Sequence, residues 1–264
     1  MSTIALITDF GPTDGFVGAM KGVMLSIVPN ANIIDISHAC DPHNTYHAAF
    51  VLWSNYRYFP KDTIFVSVVD PGVGSERRIV LIESEDGRKI LAPENGILSF
   101  ILPEIKNPKC YHINKPEYWL TPTSNTFHGR DIFAPIAAHI INGKHGEDLG
   151  VHITLPIPDS PFMDIDESTT ELEGKILHAD HFGNLITNIR PKSIRIDDMQ
   201  HFSLEIGGRT IGSIKKTYAS GDYGELIAIL GSSGLIEVAV RNSSAHQMLG
   251  LRVGDPVLMR SNPE

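Results

Sequence analysis

The sequence predicts an α/β N-terminal domain, in which helices flank a mostly parallel sheet, followed by a smaller all-β C-terminal domain. Strand-like apolar runs alternate with helix-like repeats at the start of the chain, whereas the later apolar segments are short and separated by Gly and Asn-Ser turns. An acidic, irregular segment lies between these regions. We therefore expect domains at 1–155 and 174–264, joined by a linker at 156–173.

The N-terminal alternation predicts parallel strands, because parallel neighbours need a crossover connection such as a helix. Ligands bind beyond the carboxyl ends of such strands, so Asp9, His38 and Asp70 are expected to share one rim. The strands are predicted at Ile4–Thr8, Asn32–Ile36 and Thr63–Val69, and the helices at 16–27, 45–58 and 130–141. The C-terminal domain is expected to form an antiparallel sheet or barrel from segments at 176, 185–189, 204–206, 226–230, 235–240 and 257–259.

Composition excludes several classes of partner. With 22 basic and 31 acidic residues, the net charge of −9 repels nucleic acid and suits a cationic or zwitterionic small molecule. Two cysteines without metal-type spacing indicate a reducing compartment, and no apolar run reaches the ~20 residues of a membrane helix. No secretory segment precedes Ile4, so we expect a cytoplasmic protein.

Polar motifs at the strand ends each allow a functional and a structural interpretation. Asp9 could hold vicinal ribose hydroxyls or simply help to start a helix. The run from Asp70 to Arg78 carries two glycines that allow close backbone approach, but it matches no phosphate-binding fingerprint and could be a tight turn with solvated arginines. His128 precedes a helix, whose dipole disfavours the protonated imidazole, and could pass protons or be structural.

The C-terminal motifs are equally open. Asn184 could address a purine edge or occupy a hairpin turn, and the Gly231–Gly234 segment could receive a carboxylate or form a turn. Neither a zinc-type histidine cluster nor a G-x-S-x-G nucleophile motif is present, so we expect no metal.

Six segments together resemble the S-adenosyl-L-methionine (SAM) hydroxide adenosyltransferase family, the SAM hydrolases, which are relatives of the fluorinases and chlorinases. The segments occur in order across nearly the whole chain. They are ITDFG at 7–11, VDPGVGSERR at 69–78, APENGILS at 92–99, FHGRDIFAP at 127–135, HFGNLITNI at 181–189 and GSSGLIEVAV at 231–240.

The resemblance implies attack of water or hydroxide on the ribose C5′ of SAM, giving adenosine and L-methionine without a cofactor. It implies catalytic roles for Asp70, Arg77 and His128, whereas halogenating relatives carry Tyr or Thr at the first of these positions. The implied substrate contacts are Asp9 for the ribose, Asn184 and the backbone near Val240 for adenine, and Ser232 and Glu237 for the methionine carboxylate and ammonium.

The sequence differs from the halogenating relatives at two further places. The loop from Asp180 to Asn184 is one residue shorter, which leaves the contact of Asp180 with the amino acid open, and Ser233 replaces an arginine. The resemblance also implies a homotrimer in which each pocket lies between the first domain of one subunit and the second domain of its neighbour.

Water is a demanding nucleophile for a carboxylate to activate. Asp70 is too weak a base to hold hydroxide, and Arg77 beside it would weaken it further. We therefore expect Asp70 and His128 to orient and partly deprotonate one water during bond formation, with Arg77 fixing the carboxylate. The alternative from another class is a protein that binds adenosine or SAM without turnover.

Overall fold

In the computed structural model, which describes residues 3–166, 168–192, 194–195 and 197–262, contacts divide the chain into a first unit, 1–159, and a second unit, 160–264. The first unit begins with three strands in parallel, in the order β2-β1-β3. The rim prediction is confirmed, because Asp9, His38 and Asp70 follow the carboxyl ends of these adjacent strands. Their bounds are β1 Thr3–Thr8, α1 Phe16–Ile27, β2 Asn32–Ser37, α2 Thr45–Tyr56 and β3 Ile64–Val68.

The rest of this sheet is antiparallel, so the prediction of a mostly parallel sheet is wrong. The full order is β2-β1-β3-β5-β4-β6-β7, in which β5 is parallel to β3 and antiparallel to β4. Residues 84–88 join β4 to β5 through Gly87 at φ +93°, and so short a connection reverses the chain instead of crossing over. The added strands are β4 Ile79–Glu83, β5 Lys89–Pro93, β6 Lys109–Ile113 and β7 Gly150–Ile153.

The core of the first unit lies between its sheet and two helices. Met20 and Met24 of α1 and Ile136 of α3 (Ala134–Ile141) are fully buried in one apolar cluster with Leu6 of β1. One turn of π-helix, Gly129–Phe133, precedes α3 where a regular helix was predicted, and α4 (Gly146–Leu149) is a short turn before β7. Helical distortions of this kind are frequent at functional sites.

The second unit is built mainly from strands, as predicted. Its eight-stranded sheet has the order β13-β12-β17-β9-β10-β16-β15-β14, antiparallel except between β15 and β14. Contacts of β12 with β14 and of β13 with β15 bring its edges together into a nearly closed barrel. The strands are β9 Glu171–Ala179, β10 Leu185–Thr187, β12 Phe202–Ile206, β13 Arg209–Ile211, β14 Ile214–Lys215, β15 Leu226–Leu230, β16 Ile236–Val240 and β17 Pro256–Ser261.

Two smaller features complete the second unit. A separate parallel pair is formed by β8 (Met163–Ile165) and β11 (Ile189–Pro191), and α5 (Ala245–Leu249) follows β16. β8 and the first residues of β9 fall inside the segment 156–173, whose role as a linker stays a prediction.

Candidate active site

Asp70 and Arg77 form a buried ion pair just beyond β3. The Nε and Nη2 groups of Arg77 donate to Asp70 Oδ2 at 2.8 and 2.6 Å, and the two side chains are 10% and 5% exposed. The loop between them turns through Gly74 at φ +78°, where a Cβ would lie 2.5 Å from the Asn125 carbonyl oxygen. A glycine is therefore required where this loop packs against the segment that leads to His128.

His128 is joined to the same guanidinium. Its Nδ1 lies 2.8 Å from Arg77 Nη2, and because a guanidinium only donates, Nδ1 accepts and the neutral ring carries its proton on Nε2. Burial lowers the pKa of His128, and the charge of Arg77 lowers it further. The neutral imidazole expected from the sequence is thus favoured by burial and by the charge of Arg77.

The other oxygen of Asp70 remains available. Among the described residues, Asp70 Oδ1 is buried and has no hydrogen-bonding partner. An unsatisfied carboxylate oxygen in a buried site is costly unless it accepts a hydrogen bond in the working state. Asp70 Oδ1 can therefore accept a hydrogen bond from a water or hydroxyl, while Arg77 holds Oδ2 in place.

A cavity of about 290 Å³ in the first unit has Asp9, Asp70 and His128 in its wall. Three aromatic rings, Phe10, Phe16 and Phe127, pack edge to face or tilted at 5.2–5.8 Å and line the same cavity. Apolar walls beside a few polar groups are typical of small-molecule sites.

The Asp9 carboxylate is held from one side. Its Oδ2 accepts a hydrogen bond of 2.9 Å from the backbone amide of His43, which also lines the cavity and has φ +66°. His43 was not predicted as a site residue, because its left-handed backbone conformation leaves no local signal in the sequence.

In the second unit, Asp180 organises the loop that carries Asn184. The Asp180 carboxylate accepts hydrogen bonds of 2.9 Å from the amides of Phe182 and Asn184 and from the side-chain Nδ2 of Asn184. Asn184 is 7% exposed, and one of its two side-chain N–H groups is committed to Asp180. These bonds fix the orientation of the Asn184 amide.

Glu237 of β16 is a buried acid beside this loop. The Tyr218 hydroxyl donates to Glu237 Oε1, and a Cβ at Gly231 would lie 2.4 Å from Oε2, so only glycine leaves room for the carboxyl group. Burial raises the pKa of Glu237, and the negative charge of Asp180 raises it further. Tyr218 was not predicted as a site residue, because it stands in a polar loop without periodicity.

The remaining predicted contacts lie around β16. Ser232 and Ser233 occupy the turn between β15 and β16, closed by a hydrogen bond of 2.9 Å from the Gly231 amide to the Leu235 carbonyl. Val240 ends β16 with its side chain buried, and its carbonyl accepts from the Ser243 amide at 3.0 Å.

The described part of the chain contains neither a metal-type cluster of side chains nor a membrane-spanning helix. No group of three or more His, Cys, Asp and Glu side chains there could hold a metal ion. No helix among those residues combines the length and apolarity needed to cross a membrane.

Comparison with known proteins places both units in one family. Models of the SAM hydroxide adenosyltransferase N-terminal and C-terminal domains match residues 4–150 and 174–258. (R)-S-adenosyl-L-methionine hydrolases from Methanocaldococcus jannaschii and Thermus thermophilus are 33% and 34% identical, over 97% of this chain and 95% and 99% of their own lengths. A fluorinase from Nocardia brasiliensis is 26% identical over 97% of this chain and 96% of its own.

A solved structure agrees with these matches. The crystal structure of a conserved protein from Thermotoga maritima has a TM-score of 0.87 and 32% identity, covering 98% of this chain and all of that one. The chain belongs to the SAM hydroxide adenosyltransferase family.

Proposed function

We propose that this protein hydrolyses (R)-S-adenosyl-L-methionine to adenosine and L-methionine. The (R) form is taken from the names of the curated hydrolases that the chain resembles. The observation that carries the proposal is that Arg77 joins Asp70 to His128, and that both of these residues line a cavity with Asp9 in its wall. A water oxygen forms a bond to C5′, the C5′–S bond breaks with its electron pair going to sulfur, and the water releases one proton.

Asp70 and His128 have different proposed roles in handling this water. Asp70 Oδ1 accepts the proton of the water as the C–O bond forms, and Arg77 holds Oδ2 so that Oδ1 points in one direction. Since His128 Nδ1 is engaged by Arg77, its Nε2–H donates to the water oxygen and aligns a lone pair with C5′. This replaces the expectation that His128 shares in deprotonation.

Asp9 is proposed to align the ribose for in-line displacement. One of its carboxylate oxygens is already fixed by the His43 amide, so the other can accept the vicinal hydroxyls. Holding nucleophile and sulfonium in line can contribute about 7–11 kcal/mol. As the water loses its proton, the negative charge that develops on its oxygen and the positive charge of the sulfonium neutralise each other. A cavity whose aromatic walls limit hydration favours this step where fixed polar groups such as Asp70 and His128 replace the lost water.

The second unit is proposed to recognise the two ends of the substrate. Asn184 presents its remaining amide groups to adenine, together with backbone near Val240, while Ser232 addresses the methionine carboxylate and Glu237 the ammonium. Asp180 acts by orienting Asn184, which is supported by its three hydrogen bonds within the loop.

We further propose a cytoplasmic homotrimer in which the second unit of a neighbouring subunit completes each cavity of a first unit, with neither cofactor nor nucleic-acid partner. The family resemblance and the net charge of −9 support these assignments. Sedimentation tests the assembly, since an active monomer would refute it.

Product analysis tests the function. The full chain is incubated separately with the (R) and (S) sulfonium epimers of SAM, and adenosine and methionine are quantified. We expect equimolar products, formed faster from the (R) epimer. Recovery of both epimers unchanged would identify a binding protein and overturn the proposal.

A further inference from the structure

A chain of polar side chains lies beneath the Asp9 turn, outside the groups assigned above. Thr8 Oγ1 is 2.9 Å from His38 Nδ1, and His38 Nε2 is 3.0 Å from Asp35 Oδ1. Thr8 is completely buried, the His38 side chain is 14% exposed, and Asp35 reaches the surface. An imidazole therefore binds a buried hydroxyl next to Asp9 through Nδ1, while its buried Nε2 lies at ion-pair distance from a surface carboxylate without hydrogen-bond geometry.

The Thr8 hydroxyl is held by two groups. The Phe10 amide donates to Thr8 Oγ1 at 3.2 Å, and Thr8 Oγ1 shares a hydrogen bond of 2.9 Å with His38 Nδ1, in a direction that depends on the imidazole tautomer. In either direction, His38 anchors the hydroxyl oxygen that receives the Phe10 amide.

Backbone bonds attach the same turn to the segment that follows His38. The Gly11 amide donates to the His38 carbonyl at 2.8 Å, and the Cys40 amide donates to the Thr8 carbonyl at 3.4 Å. The turn that carries Asp9 is therefore held at both ends by groups of this segment, and its carboxylate is held by the His43 amide.

We propose that His38 is a positioning residue, which fixes the Asp9 turn through Thr8 so that the Asp9 carboxylate meets the vicinal hydroxyls of the ribose. The proposal rests on the proposed ribose-binding role of Asp9. Binding groups must be held close to their productive geometry by supporting hydrogen bonds, because small displacements weaken recognition. The substrate feature that depends on His38 is therefore the pair of vicinal ribose hydroxyls, of which 2′-deoxyadenosine lacks one.

Two substitutions at His38 separate its contact with Thr8 from its contact with Asp35. In His38→Asn the side-chain amide, which can donate or accept, can occupy the position of Nδ1 and keep the hydrogen bond with Thr8, whereas His38→Gln reaches towards Asp35 and loses that bond. Equilibrium dissociation constants are measured for adenosine and 2′-deoxyadenosine with each full-length variant. The preference for adenosine is the ratio of the dissociation constant of 2′-deoxyadenosine to that of adenosine. We expect this ratio to be retained in His38→Asn and to fall about three- to tenfold in His38→Gln.

Thr8 provides an independent pair of variants. Thr8→Ser keeps the hydroxyl and should retain the preference, whereas Thr8→Val should lose it to the same extent as His38→Gln. In an Asp9→Asn background, His38→Gln should change the preference no further, because His38 acts through Asp9. His152→Gln, at an exposed histidine of β7, is the control and should match the wild type.

The proposal is overturned if folded His38→Gln and Thr8→Val both keep the wild-type preference for adenosine. Failure of the proposed function has a different signature, since the wild-type protein would then release no adenosine from SAM whatever the binding preference shows.

Discussion

Two buried carboxyl groups, Asp70 in the first unit and Glu237 in the second, are stabilised in opposite ways. Asp70 receives two hydrogen bonds from the Arg77 guanidinium. Glu237 receives one from the Tyr218 hydroxyl, and no cation among the described residues pairs with it. The Asp70 charge is paired within its own unit, whereas burial disfavours the charged form of Glu237, which an approaching cation would stabilise. In the proposed reaction that cation is the methionine ammonium.

The largest effect is expected at Arg77. Arg77→Met leaves the Asp70 charge buried and unpaired, which should lower the free energy of unfolding by about 3–5 kcal/mol. Hydrolysis should fall at least about 100-fold, because both Asp70 and His128 lose their common partner. Denaturant unfolding and adenosine release measure the two effects.

The adjacent arginine is the matched control. Arg78 pairs with Glu94 at the surface, with side-chain exposures of 38% and 30%. Arg78→Met should therefore change the free energy of unfolding by no more than about 1 kcal/mol. Equal destabilisation by the two substitutions would contradict the distinction between the buried and exposed pairs.

Glu237→Gln should stabilise the protein, whereas Arg77→Met should destabilise it. Because the pKa of Glu237 is raised, the folded protein holds a proton that the unfolded chain releases, and stability falls as pH rises from the ordinary glutamate pKa through the raised pKa of the folded state. The neutral amide removes this loss, so the unliganded variant should be more stable than the wild type at neutral pH.

The same substitution should weaken substrate binding. An amide cannot neutralise an ammonium, and losing a charge-assisted hydrogen bond should raise KM about tenfold or more, with kcat nearly unchanged. Tyr218→Phe, which keeps the Glu237 charge, should raise KM less. A wild-type KM in Glu237→Gln would remove Glu237 from the substrate site.

A smaller effect is expected from pH. Burial and Arg77 lower the pKa of His128, so its neutral form persists below the ordinary histidine range. Activity should stay constant on acidification through about pH 6.5 and fall only below it. The free energy of unfolding should also decrease as pH falls, because the unfolded chain binds the histidine proton at a higher pH than the folded protein does. A pH–rate profile that declines from pH 7 downward would contradict the neutral assignment.

The sequence predicted the features that depend on local pattern. Apolar runs and helical periodicity located β1, β2 and β3, and hence the rim with Asp9, His38 and Asp70. The hairpin between β4 and β5 was missed although its Asp86-Gly87 pair is a known turn signal, because the helix and strand alternation before it was extended too far.

Other features depend on contacts between distant residues. Arg77, 51 positions before His128, determines which ring nitrogen of His128 carries the proton. Tyr218 bonds to Glu237, which lies 19 positions later in the chain. The family resemblance identified Asp70, Arg77 and His128 as a set, but only their geometry shows that one guanidinium joins them.

Turnover of Asp70→Asn tests the central claim most directly. The substitution keeps the size of the side chain and removes its charge, so adenosine should still bind while release of adenosine from (R)-S-adenosyl-L-methionine falls about 10²- to 10⁴-fold. A wild-type rate in this variant would show that Asp70 does not handle the attacking water and would contradict the account.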